Sequence, residues 1–99
     1  MRLAPEQIKI IHDSALAIAG PHARVRLFGS RLDDTALGGD VDLLLEIDEV
    51  VTEPALMAAR FAAAVSRSMQ GRKIDVVILA PNLMKLPIHT HAVNHGVLL

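Results

Sequence analysis

The sequence predicts an α/β protein of the α+β kind, a small mixed three-stranded sheet flanked by helices. Three observations carry this. The runs "RVRLF", "VDLLLEI" and "KIDVVIL" have the apolar content and length of strands. The segments around them repeat apolar residues at helical spacing. Gly or Pro stands at nearly every change of pattern. The expected order is αβ(α)βαβα, which calls for helices packed on a short sheet.

Each element has a local reason. Pro5 suits a first helical turn, and Ile8, Ile11, Ala15, Leu16 and Ala19 recur at helical spacing until Gly20-Pro21 ends the run. Residues 24–28 alternate apolar and basic side chains, as a strand does, and Gly29-Ser30 closes them. Residues 31–39 read as a loop or a short helix, with Gly38-Gly39 as a pliant end. Residues 41–47 are almost continuously apolar, which predicts a strand covered on both faces. Residues 52–70 predict the clearest helix, with Thr52 as N-cap, Pro54 in the first turn and Gly71 as terminator. Residues 73–79 form a third strand run, which Pro81 breaks. Pro87 to His95 predicts a last short helix, with Gly96 just beyond it.

Composition narrows the function classes. The 99 residues are 52% apolar, which fits one domain over residues 1–99 with one modest core. Phe28 and Phe61 are the only aromatic residues, too few for a protein that stacks bases on rings. Ten basic and eleven acidic residues give a net charge of −1, so no overall field draws in a polyanion and long nucleic acid is not expected as a ligand. With no cysteine there is neither a disulfide nor a thiolate metal site. No apolar run approaches the roughly 20 residues that span a bilayer, and the first residues lack a signal-peptide layout. A cytoplasmic protein with no membrane partner is the expectation.

The unusual feature is acid in the strands. Asp40 and Asp42 stand two apart at the head of the second run, and Asp75 lies inside the third. Acidic residues are poor strand formers and costly to bury. Spacing by two puts Asp40 and Asp42 on one side of the sheet and Val41 and Leu43 on the other. If the first strand runs antiparallel to the second, and a helical crossover makes the second and third parallel, then Ser30, Asp40, Asp42 and Asp75 converge on one edge. Three carboxylates so placed repel one another unless a cation joins them. Oxygen donors without sulfur favour Mg²⁺ or Mn²⁺, and Mg²⁺ is commonly held by carboxylates together with substrate phosphates. Gly29 permits close backbone approach, and Ser30 adds a hydroxyl donor beside a phosphate. This chemistry points to metal-assisted phosphoryl or nucleotidyl transfer. Any one of these acids alone is more often an edge residue, a cap or an ion-pair partner. The specificity lies in the combination, with nine residues between Gly-Ser and Asp-x-Asp and a third acid in a later strand.

"LFGSRLDDTALGGDVDLLLE" followed by "KIDVVIL" resembles the DNA polymerase β-like nucleotidyltransferase superfamily, and within it the minimal nucleotidyltransferases that accompany HEPN-domain proteins. The resemblance spans nearly the whole chain. It implies that Gly29 and Ser30 form the nucleotide-phosphate turn and that Asp40 and Asp42 are paired metal ligands. It implies that Asp75 is the third acid, which helps hold the metal and can act as general base. The implied reaction is transfer of AMP from ATP, with loss of pyrophosphate. In the toxin–antitoxin branch the implied role is an antitoxin that adenylylates a tyrosine of its HEPN toxin. Many relatives carry Ala-Arg-Gly soon after Gly-Ser. Here Arg31 follows Ser30 directly and Leu32-Asp33 takes the usual place. Arg31 either supplies the phosphate-binding charge from a shifted position or pairs with Asp33 or Asp34 on the surface.

Other features have two readings each. His91 and His95 are i, i+4 neighbours, near His89, and could hold a metal, but no further ligand is evident and a solvent-facing or partner-facing role fits better. Arg72-Lys73 either contacts a triphosphate or forms a charged approach to the third strand. Arg60 and Arg67 read as a solvated helix face. The apolar ends "MRL" and "GVLL" either dock a partner or a second copy of the chain, or complete the core. The alternative to an enzyme is a non-catalytic antitoxin that neutralises its partner by complex formation.

Overall fold

The computed structural model describes residues 3–29 and 41–99. Its elements are α1 (Pro5–Ala19), β1 (Arg24–Phe28), β2 (Val41–Glu46), α2 (Pro54–Ser68), β3 (Ile74–Leu79), α3 (Pro87–His95) and β4 (Val97–Leu98). The strands form one mixed sheet in the order β3-β2-β1-β4. β1 is antiparallel to β2 and to β4, and β2 is parallel to β3 through the α2 crossover. The α/β class and the expected strand directions hold. Residues 30–40, with the loop or short helix expected there, lie outside the described residues.

The sheet has one strand more than the three expected. β4 has only two residues, Val97 and Leu98, which pair with Leu27 and Arg26. A two-residue strand has no periodicity to read. It forms because Gly96 turns the chain where no side chain would fit between the Ala92 carbonyl and the Leu27 carbonyl. Part of the chain's end completes the core, one of its two readings. Leu99 packs against the main core, as Leu3 does at the other terminus, whereas Val97 and Leu98 are exposed.

The helices start at prolines, whose missing N–H costs nothing in a first turn. Pro5, Pro54 and Pro87 each open one. Thr52 is not the cap of α2: the helix begins at Pro54, so the cap position falls to Glu53, whose side chain makes no capping bond. At the other end of α2, the Ser66 carbonyl accepts the Met69 and Gly71 N–H groups at 3.0 and 2.9 Å, closing the last turn. Arg60 and Arg67 are exposed on this helix. No helix among the described residues is long and apolar enough to cross a membrane.

Alternation along the strands divides the core. Val25 and Leu27 of β1, Val41, Leu43 and Leu45 of β2, and Ile74 and Ile78 of β3 pack with Ile11 and Ala15 of α1 and Phe61 and Val65 of α2. Phe28, Leu44, Val77 and Leu79 point to the opposite face and pack with Ala92 and Val93 of α3. β2 is thus covered on both sides, which explains its apolar run.

α3 is fastened by His89, which is 5% exposed. The Leu86 N–H donates to His89 Nδ1 at 2.8 Å, so the proton sits on Nε2, which donates to the Ile78 carbonyl at 2.9 Å. Along β3 and the residue before it, the Lys73 and Leu79 carbonyls accept from Val41 and from Ile47, which follows β2. The Ile78 carbonyl alternates with these and faces the open edge. One neutral imidazole therefore satisfies the start of α3 and blunts an exposed sheet edge. His89 is a structural histidine, distinct from the exposed His91 and His95.

His89→Leu keeps most of the volume but orphans the Leu86 N–H and the Ile78 carbonyl. It is expected to lower stability by about 1–3 kcal/mol, read as a shift of the urea midpoint at unchanged slope. A wild-type midpoint would contradict this anchoring.

Candidate functional site

The register of β2 decides what meets at the head of the sheet. Phe28 opposes Asp42, and Asp42 opposes Asp75. Directly opposed residues project to the same face, so Asp42 and Asp75 are neighbours on the α3 face. They sit where β1 ends and β2 and β3 begin, beyond the apolar patch of Phe28, Leu44 and Val77. Asp42 is half-buried, and Asp75 keeps 45% of its side chain exposed. Their oxygens stand at the border of core and solvent.

Gly29 completes this corner. It follows Phe28 with φ +79°, a region that suits glycine. A Cβ there would collide with Asp42 Oδ2 and lie 3.2 Å from Asp42 Cγ. The absent side chain thus leaves a gap filled by a carboxylate. It brings bare backbone against Asp42.

Of the site residues expected from sequence, the structure brings together Gly29, Asp42 and Asp75. Ser30, Arg31 and Asp40 lie outside the described residues. Among the described residues no three His, Cys, Asp or Glu side chains gather closely enough to hold a metal ion. His91 and His95 do meet, with ring centroids 4.9 Å apart and planes tilted by 40°, but as a pair. The chemistry of the corner nevertheless fits a hard divalent cation: two opposed carboxylates, oxygen donors only, and a glycine that clears space beside one of them.

Lys73, expected from sequence either to contact a triphosphate or to form a charged approach to the third strand, also stands at this corner. Its Nζ lies 3.9 Å from Asp75 Oδ1. The Val41 N–H donates to its carbonyl at 3.0 Å, which fixes its root at the head of β2. The i, i+2 spacing of Lys73 and Asp75 was the available signal, since strand alternation puts both on one face.

The far end of the same face is different in kind. Arg24 Nη2 donates to Asp48 Oδ1 at 2.8 Å and Nε to Glu46 Oε1 at 3.3 Å, and Arg26 Nε is 3.6 Å from Glu46 Oε1. The Arg24 hydrogen bond holds the Asp48 carboxyl below the usual range, and that bond together with Glu46 raises the guanidinium above its ordinary value. Stability from such a pair is present above the carboxyl's ordinary pKa and lost as pH falls through the lowered one. The charges here balance; Asp48 is well exposed and Arg24 partly so, whereas Arg26 and Glu46 are mostly covered and Arg26 Nε is buried without a hydrogen-bond partner. The exposed Arg24–Asp48 pair carries small energetic weight. A cleft of about 320 Å³, lined by His12, Leu16, Arg24 and Leu99, also lies at this end and does not adjoin the acids.

The family model described as "Nucleotidyltransferase domain" matches residues 8–95. No curated protein matches the chain.

Gly29→Ala tests the corner directly. The substitution forces an L side chain to positive φ and into the Asp42 carboxylate. A loss of about 1–3 kcal/mol in unfolding free energy is expected. Wild-type stability would show that residue 29 is not held against Asp42.

Proposed function

The chain belongs to the nucleotidyltransferase domain family, and on that premise we propose that it is a divalent-metal-dependent enzyme that transfers AMP from ATP to an acceptor hydroxyl. The observation that carries this reading is the opposition of Asp42 and Asp75 across parallel strands, with the bare backbone of Gly29 against Asp42. Opposed like charges destabilise a sheet, and a cation held between them turns that cost into a binding site.

In this reading Asp42 and Asp75, together with Asp40, hold Mg²⁺ or Mn²⁺. Bound there, the ion would offset the negative charge that develops around the α-phosphate. Gly29 and Ser30 form the turn that receives the phosphates, and Arg31 adds charge beside it. The acceptor oxygen bonds to the α-phosphorus as the bond to the β-phosphate oxygen breaks, and pyrophosphate leaves. The hydroxyl proton passes to the Asp75 carboxylate. Asp75 is suited to this because its side chain remains partly open to solvent, where an acceptor can approach.

The acceptor we propose is a tyrosine of a HEPN-domain partner, with the chain as the antitoxin of the pair. The support is the resemblance of the Gly29-Ser30, Asp40-Val41-Asp42 and Asp75 pattern to minimal nucleotidyltransferases.

The test is transfer of label from α-labelled ATP to the partner encoded by the neighbouring gene, with Mg²⁺. Asp42→Asn and Asp75→Asn should each reduce label transfer by at least about a hundredfold, the scale of a lost catalytic group, while leaving the fold intact by circular dichroism. Transfer that survives either substitution would overturn the assignment. Complex formation without any label, even from the wild type, would instead support neutralisation by contact alone.

A further inference from the structure

Lys73 and Arg72 are adjacent cations at the head of β3, but the structure treats them differently. The Arg72 carbonyl is held by Ser66 Oγ at 2.7 Å, and Arg72 is one of the residues that line a cleft with Gln7 and Met69. Lys73 is one residue on, so its side chain projects to the opposite face, where Asp42 and Asp75 lie. Its backbone is tied to β2 through the Val41 N–H, so the root of the side chain is fixed. Its side chain is 69% exposed, and its ammonium is 3.9 Å from Asp75 Oδ1.

An exposed ion pair at that separation adds little stability. The pairing alone gives no reason for a cation beside acids that are to bind metal. A metal ion on Asp75 would compete directly with the ammonium. Once displaced, the ammonium has a four-carbon stem and a fixed root, and it stays beside the reacting edge. The leaving group of nucleotidyl transfer is pyrophosphate, whose negative charge grows as the bond from the α-phosphorus to its oxygen breaks. A mobile point charge suits oxygens whose orientation changes during that departure.

We propose that Lys73 binds the β- and γ-phosphates of the nucleoside triphosphate and accompanies the departing pyrophosphate. Without nucleotide, the same ammonium is the counter-ion of Asp75. This rests on the reading of Asp42 and Asp75 as the acids of the transfer site. Lys73 therefore exchanges partners: Asp75 in the empty protein, the terminal phosphates in the loaded one.

Two binding measurements test this without turnover. Mn²⁺ alone is titrated by electron paramagnetic resonance. With saturating Mn²⁺, α,β-methylene-ATP, which cannot transfer its nucleotide, is titrated by calorimetry. Lys73→Gln should bind Mn²⁺ alone as tightly as the wild type or more tightly, because the competing ammonium is gone. It should bind the analogue about tenfold more weakly, as expected when one charge-assisted contact is removed. Lys73→Arg, which keeps the charge, should retain most of the analogue affinity. Unchanged analogue affinity in Lys73→Gln, or an equal loss in both titrations, would overturn the role of Lys73 alone. A loss in Lys73→Arg as large as in Lys73→Gln would do the same. A wild-type chain that binds neither Mn²⁺ nor the analogue would overturn the site itself along with it.

Discussion

The register of β2 is the constraint on which the rest depends. This strand pairs antiparallel with β1 and parallel with β3, so each of its side chains is committed to one of two covered faces. Val41, Leu43 and Leu45 are fully buried against α1 and α2, and Leu44 is fully buried under α3. A slip of one residue would exchange these faces along the whole strand. It would drive Asp42 into the main core and push Val41 and Leu43 out of it. Burial of four large aliphatic side chains thus holds Asp42 opposite Asp75. The hydrophobic core aims the carboxylates.

The corner they occupy differs from its surroundings in three ways. Two acids oppose each other across a sheet, where like charges are unfavourable. A chain with positive φ at Gly29 presses against one of them. A lysine stands beside the other. The surroundings are conventional by contrast. Prolines open helices, apolar residues alternate along strands, and His89 closes a sheet edge. Departures of this kind concentrate where function requires them. The ion-pair cluster at the opposite end of the same face is a useful contrast, since its charges balance.

Much of this was legible before any coordinates. Helix bounds at Pro5 and Pro87 followed from proline, and the strands followed from three apolar runs, because burial leaves a periodic trace. The parallel direction of β2 and β3 followed from connection length, since a crossover helix makes its flanking strands parallel, whereas the direction of β1 was a condition rather than a result. The pairing of Asp42 with Asp75 was legible as convergence on one edge but not as register, which depends on contacts between segments far apart in sequence. β4 was too short to leave a pattern. The start of α2 was misplaced by the apparent cap at Thr52, because Pro54 fixed the first turn instead. His89 looked like a companion of His91 and His95. Only the position of α3 across the sheet separates a histidine that bonds Leu86 and Ile78 from two that face solvent.

The central claim is that the head of β2 and β3, with Gly29, is a divalent-cation site. The most direct measurement is a Mn²⁺ titration followed by amide NMR, in which the paramagnetic ion erases signals near its binding position. The account predicts early, selective loss of the Gly29, Asp42, Leu43 and Asp75 signals, with those of Arg24 and Asp48 at the far end of the sheet persisting. Selective loss centred on His91 and His95, or uniform broadening across the chain, would contradict it.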